Sequence, residues 1–310
     1  MKFLRPPSPF VLLTLASLFW AANWVVGRAM RNDIPPIAMG FWRWAIALAI
    51  LLPLAAPELQ RKWHVVRANW LTLTLLGLLG AVVFNTLIYV GLQYTAATNG
   101  VLFNSISPIL IILLSWVVAR EGISGLQTCG VLLSLAGVLA IVARGEFATL
   151  VAFHFNTGDL WLMVAMLLWA IYTIVLRRRP RELSAMGFLT AMLLLSLPFL
   201  LPFYLWEFGA RGGFALTQAT VAALAYYGTI PSIAAYLFWN RGVAKVGPNK
   251  AGLFVHLMPL FGALLAVIFL GEQLYAYHYA GAALIFSGIW LTTRRGNSGK
   301  TQKAVTDVTA

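Results

Sequence analysis

Two ionisable side chains, Arg43 and His256, fall deep inside long apolar stretches of this chain. Arg43 is eight residues into the stretch 36–54, about 10 Å along a helix that rises 1.5 Å per residue. A bare guanidinium in hydrocarbon is costly, so it needs water, a carbonyl or an anion. It either ties its helix to backbone carbonyls or snorkels, or it receives the carboxylate of an amino-acid-like solute. His256 stands three residues before Pro259 in the stretch 248–270. It is either a histidine bonded to a carbonyl, or a solute contact, or a pH-sensitive gate.

Carboxylates are missing from such depths. Asp33, Glu58, Glu121, Glu146, Asp159, Glu182, Glu207, Glu272 and Asp307 all lie toward the ends of apolar stretches or outside them. A buried carboxylate would be the natural partner of a cationic solute or a hard metal ion. His64, His154, His256 and His278 sit on different segments, and Cys129 is the single cysteine. The sequence thus predicts no catalytic residue, no metal site, no cofactor and no intramolecular disulfide. Ser298-Gly299-Lys300-Thr301 is a poor phosphate loop, because Arg294 occupies its required first glycine position and no strand precedes it.

The elements that must position these residues are apolar helices. The chain is 61% hydrophobic and 10% charged, against about 25% charged in a soluble domain. Ten stretches are each close to the ~20 residues that cross a ~30 Å hydrocarbon core: 10–28, 36–54, 70–92, 97–118, 125–143, 157–176, 184–206, 217–240, 248–270 and 275–293. A register of 151 residues relates the halves. Gly77, Gly91, Pro108, Glu121, Gly130 and Gly137 recur as Gly228, Gly242, Pro259, Glu272, Gly281 and Gly288. Five stretches per copy is an odd number, so two copies enter the membrane in opposite senses. The expected fold is an all-α integral membrane protein of ten transmembrane helices in two inverted five-helix repeats, 10–143 and 157–293. A cytoplasmic N-terminus (1–9), an extracytoplasmic linker (144–156) and a cytoplasmic tail (294–310) complete it.

Charge orients this arrangement. With residue 1 inside, Arg28, Arg31, Arg144 and Arg211 are the basic residues of the outer side, and the other loop basics, from Lys2 to Lys303, gather inside. The net charge of +13 therefore reports topology beside anionic lipid rather than nucleic-acid binding. Lys2 and Arg5 before an apolar run resemble a secretory signal. Yet Trp20, Ala21, Val26 and Arg28 recur as Trp169, Ala170, Val175 and Arg177, which predicts a retained helix.

The repeat also pairs polar residues. Ser105 pairs with His256, Asn85 with Tyr236, and Asn23 with Tyr172; Trp20 and Trp169 precede the last pair by about one turn. With Asn104 they could form a cavity of amides, hydroxyls and rings, suited to a small zwitterion with an apolar or aromatic side chain. They could equally be packing residues. Glu121, Glu272 and Asp159 read as helix caps. The glycine pairs 130/137 and 281/288 allow close helix contact, within a monomer or across a homodimer.

Trp20-Ala21, Phe41-Trp42-Arg43, Gly91-Leu92-Gln93-Tyr94-Thr95, Pro108, Glu121, Gly158-Asp159, Trp169-Ala170, Pro259 and Gly271-Glu272, in this order, resemble the ten-helix EamA-type branch of the drug/metabolite transporter superfamily. The second half departs at Gly242-Val243-Ala244-Lys245, which replaces the aromatic exit. The resemblance implies a secondary transporter, commonly an exporter of amino acids or related metabolites. The superfamily's small drug pumps use a first-helix glutamate; here the first stretch offers Asn23. The expected protein is a non-enzymatic transporter of a small molecule in the cell inner membrane, surrounded by lipid. Import or flipping of a phosphorylated or sugar-linked solute is the alternative, and a membrane-embedded enzyme the alternative of another class.

Overall fold

The computed structural model describes residues 7–95, 97–120, 122–146, 155–270 and 273–293. Among these residues all regular structure is helical. In chain order the helices are α1 (Pro9–Ala29), α2 (Pro36–Arg61), α3 (Trp63–Ala68), α4 (Trp70–Tyr94), α5 (Ala97–Asn104), α6 (Ser107–Ala119) and α7 (Gly125–Val142). Then follow α8 (Thr157–Arg178), α9 (Ala185–Phe199), α10 (Leu201–Arg211), α11 (Gln218–Val246), α12 (Pro248–Gly252), α13 (Leu257–Leu270) and α14 (Ala276–Thr293). Six of them, α1, α2, α4, α7, α8 and α11, are long and apolar enough to cross a membrane. The pair α9 and α10 makes a seventh span if its 49° bend is bridged. Pro198 and Pro202 flank that bend and remove two helical donors.

The stretches predicted as spans four and nine are helical but broken. After α5 the chain turns at Ser105 and Ile106, whose amides bond Leu102 O and Phe103 O, before Pro108 starts the next helix. In the second half a 3-10 turn, Leu253–His256, stands between α12 and α13, just ahead of Pro259. Each proline denies its helix a donor and crowds the carbonyl four residues earlier, so the break falls at the same repeat position in both copies.

α4 and α11 share a different irregularity. Leu78–Val82 and Ile230–Ala234 are π-helical, and such bulges free carbonyls from the helical ladder. In α11 the cause is visible. Pro231 cannot donate to Tyr227 O, and the Ser232 hydroxyl donates to that carbonyl instead at 2.6 Å.

Helix ends are built locally. Ser124 with Gln127, Asn156 with Asp159, and Thr217 with Thr220 form capping boxes. The caps expected of Glu121 and Glu272 lie outside the described residues; α7 is capped by Ser124. Asp159 does start α8, and it also accepts from the Thr95 hydroxyl at 2.8 Å, joining the end of α4 to the start of α8. Glu207 has a role the sequence did not signal. From α10 it reaches the first turn of α2 and accepts from the Ala38 amide at 2.7 Å and the Ile37 amide at 3.3 Å. A buried carboxylate at a helix start satisfies orphan donors and complements the helix dipole. Glu207→Ala is expected to lower stability by about 1–3 kcal/mol, and Glu207→Gln by less, read as thermal unfolding midpoints in detergent.

α7 and α14 lie against each other along the paired glycines. A β-carbon on Gly288 would stand 2.3 Å from Gly130 O, and one on Gly137 would stand 2.6 Å from Gly281 O. The glycine faces are thus occupied within one chain.

Candidate functional site

Arg43 projects from α2 and is wholly buried. Its Nε donates to Ser232 Oγ at 2.6 Å, and its Nη1 donates to Asn23 Oδ1 at 2.9 Å and to Tyr89 OH at 2.8 Å. Its Nη2 donates to Pro231 O at 3.1 Å. The Trp44 ring lies 5.1 Å from the guanidinium carbon, a cation–π distance. The fork is therefore engaged by neutral hydroxyl, amide and carbonyl oxygens. Trp20 Nε1 also donates to Pro231 O, at 3.0 Å, so α1 and α2 hold the π-bulge of α11 together. The bulge of α4 is held in the same way: Trp44 Nε1 donates to Ala81 O at 3.1 Å, Asn85 Nδ2 donates to Ala81 O at 2.9 Å, and the Tyr236 hydroxyl donates to Gly80 O. Adjacent residues of α2, Arg43 and Trp44, thus tie one bulge each.

His256 is equally engaged. Its Nε2 lies 2.9 Å from Ser105 O and its Nδ1 2.7 Å from Ser134 Oγ. A carbonyl only accepts, so Nε2 carries the proton; in the neutral ring Nδ1 accepts from Ser134. The imidazole bridges the break after α5, the middle of α7 and the turn before α13. The Ser105 hydroxyl turns back to Leu102 O at 2.5 Å.

A cavity of about 30 Å³ lies beside these ties, room for roughly two water molecules. Among the residues singled out from sequence, Trp20, Asn23, Asn85, Asn104 and Trp169 line it. Trp24, Phe84, Ile88, Val255 and Met258 complete the wall. In a chain this apolar their types carried no signal, apart from Trp24 one turn beyond Trp20. Tyr236 lies one bond behind the wall, its hydroxyl accepting from Asn85 Nδ2 at 3.1 Å. Tyr172 also stands behind the wall, its ring centroid 5.1 Å from that of Trp169, and donates to Asn240 Oδ1 at 2.7 Å. Arg43 reaches the cavity only through Asn23, and His256 and Ser105 stand outside the wall.

The wall is aromatic with amide points. Trp20 and Trp169 meet edge to face with centroids 5.2 Å apart, and Phe84 stacks on Trp169 at 4.9 Å. Asn104 Nδ2 donates to the Met258 sulfur at 3.2 Å, a weak acceptor that leaves this amide ready for a better partner. Among the described residues no group of three or more His, Cys, Asp or Glu side chains could hold a metal ion. The arrangement can orient a small solute by hydrogen bonds and enclose its apolar part.

Comparison with known proteins agrees with this build. The EamA-like transporter family matches the chain twice, over residues 8–143 and 156–294. The uncharacterized transporter YyaM of Bacillus subtilis (strain 168) is 24% identical over 280 residues, covering 90% of this chain and 92% of that one. An uncharacterized transporter of Archaeoglobus fulgidus is 28% identical over 299 residues, covering 92% of this chain and 97% of its own. A solved crystal structure superposes with a TM-score of 0.72 over 92% of this chain and 96% of that chain; at 19% identity the likeness is one of fold. An all-helical build, long apolar helices and a family match that spans both halves lead to one conclusion: this chain belongs to the EamA-like transporter family.

Proposed function

We propose that the protein is a secondary transporter of the cell inner membrane that exports small metabolites, amino acids foremost, by alternating access between two inverted five-helix repeats. In this reading ten segments cross the bilayer and both termini are cytoplasmic. The observation that carries it is the meeting of repeat partners beside the cavity. Asn85 bonds Tyr236, and His256 bonds Ser105, each pair 151 residues apart; Trp20 packs on Trp169. Equivalent residues of two copies touch only where the axis relating the copies passes. The cavity therefore sits at the interface of the halves, where binding sites of repeat-built transporters belong. Its small volume fits a contracted state, and a solute the size of an amino acid requires the two halves to part.

The wall residues Trp20, Asn23, Asn85, Asn104 and Trp169 are proposed to contact the solute. Arg43, His256, Ser105, Tyr236 and Tyr172 are proposed to hold the wall in shape. Flux of labelled amino acids into proteoliposomes tests the assignment. Asn85→Leu is expected to lower saturable flux at least ten-fold while the protein stays folded, because the Tyr236 hydroxyl keeps its bond to Gly80 O. Flux of a sugar phosphate in place of amino acids would replace this reading with the importer or flippase alternative. Wild-type flux in Asn85→Leu would remove the cavity from the path.

A further inference from the structure

Two amides of the cavity wall are locked in opposite senses. Asn23 Oδ1 accepts from Arg43 Nη1 at 2.9 Å and from the Tyr89 hydroxyl at 3.3 Å. A guanidinium only donates, so the oxygen must face Arg43, and the Nδ2 donor is the end that Asn23 keeps free. Asn85 is set the other way. Its Nδ2 donates to Ala81 O at 2.9 Å and to the Tyr236 hydroxyl at 3.1 Å. A carbonyl only accepts, so Oδ1 is the end that Asn85 keeps free. Both side chains line the cavity and keep 5% and 3% of their surface exposed, which leaves the free ends room to meet a solute. Asn104 is not locked, since the weakly accepting Met258 sulfur is its side chain's one partner among the described residues.

The two free ends are close together and differ in electrical character. Tyr89, which bonds Asn23, follows Asn85 by four residues on α4. Such positions are neighbours one turn apart, about 5.4 Å. One small group can bridge that span with a hydrogen bond of about 2.9 Å at each end. Behind Asn23 stands the Arg43 charge, wholly buried, held by neutral oxygens and paired with no carboxylate among the described residues. A buried cation without a counter-ion favours a nearby anion, and Asn23 presents that preference to the cavity as a polarised N–H. Asn85 is backed by neutral groups instead. Its oxygen shares the cavity with Phe84, Trp20 and Trp169, rings whose faces attract positive charge. Both amides, with the Arg43 and Tyr89 that lock Asn23, lie within residues 10–143, so in the transport reading the pair stays assembled when the halves part.

We infer that Asn23 takes the carboxylate and Asn85 the ammonium of an α-amino acid with an apolar side chain, so that this pair sets which solutes the cavity accepts and which way round they lie. The inference rests on the transport reading for its class of solute and goes beyond it in requiring both charged ends.

The test reads binding rather than flux, with the full chain in neutral detergent, by tryptophan fluorescence, since Trp20, Trp24 and Trp169 line the cavity. The probes are L-leucine, 3-methylbutylamine, which is leucine without its carboxylate, and N-acetyl-L-leucine, which has no ammonium. The wild type is expected to bind leucine saturably and each analogue at least about ten-fold more weakly, as for the loss of one hydrogen bond to a charged group. Asn23→Asp keeps an oxygen toward Arg43 and Tyr89 and puts a carboxylate oxygen in place of the donor. It should stay folded, lose leucine affinity at least about ten-fold, and bind 3-methylbutylamine more tightly than leucine. Asn85→Leu should weaken leucine but not N-acetyl-L-leucine, so that the two bind alike. If Asn23→Asp does not fold, the wild-type order of the three probes and Asn85→Leu decide. No saturable binding of leucine by the wild type, binding of the analogues as tight as leucine, or a wild-type order of affinities in a folded Asn23→Asp would overturn the inference. The last two results would leave amino-acid flux standing. Absent flux beside the predicted binding order would remove the transport reading and keep the site.

Discussion

Arg43→Gln is expected to lose folded protein before it loses transport. The guanidinium donates four hydrogen bonds to buried oxygens of Ser232, Asn23, Tyr89 and Pro231. Glutamine is shorter and has two donors, so several of those acceptors would be stranded. Each stranded buried group costs about 1–3 kcal/mol, which suggests a total on the order of 3–5 kcal/mol. Arg43→Lys keeps the charge but not the fork, and is expected to fall between the two. The check is the yield of monodisperse protein and its thermal midpoint in detergent. A Gln variant as stable as the wild type, with flux selectively lost for free acids over amidated analogues, would return Arg43 to the role of solute receptor.

Gly288→Leu is expected to have a comparable effect by a different route. Its β-carbon would meet Gly130 O at 2.3 Å and the Ser134 backbone nitrogen at 2.7 Å. Backbone cannot swing aside as a side chain can, so α7 and α14 must separate along the seam. Overpacking in a core costs roughly 1–3 kcal/mol, and this site belongs at the upper end. Ser134 sits in the same seam and holds His256, so the strain should spread to the tie across the two broken segments. Gly262→Ala in α13 is the control, since nothing lies within 4 Å of its β-carbon position. It should unfold no earlier than the wild type. Equal stability of Gly288→Leu would mean that the seam is looser than described.

Much of the fold was legible because the forces that set it act on local composition. Apolar runs marked where helices lie, and the 151-residue register aligned Asn85 with Tyr236 and Ser105 with His256, pairs that the structure brings into hydrogen-bond contact, whereas the breaks after Asn104 and before Pro259 were not expected in the stretches 97–118 and 248–270. The site was legible only in part. Asn23, Asn85, Asn104, Trp20 and Trp169 stand out as polar or aromatic in apolar helices and do reach the cavity wall. Ile88, Val255 and Met258 look like any lipid-facing residue, and only packing places them there. Arg43 left two readings open, a tie to carbonyls or a solute carboxylate, and the π-bulge at Pro231 supplies carbonyl and hydroxyl acceptors that no sequence pattern advertises. Glu207, which the sequence places just past the apolar stretch 184–206, caps a helix start 170 residues away in sequence.

The central claim, that the cavity between the halves opens to each side of the membrane in turn, is tested most directly by a cysteine placed in its wall. Ile88→Cys in a Cys129→Ser background offers one thiol inside the cavity. Labelling with a membrane-impermeant maleimide, in intact cells and in inside-out vesicles, reads access from each face. The account predicts labelling from both faces, with the ratio between them shifting when a mixture of the proteinogenic amino acids is present at saturating concentration. Labelling from one face only, with and without amino acids, would contradict it.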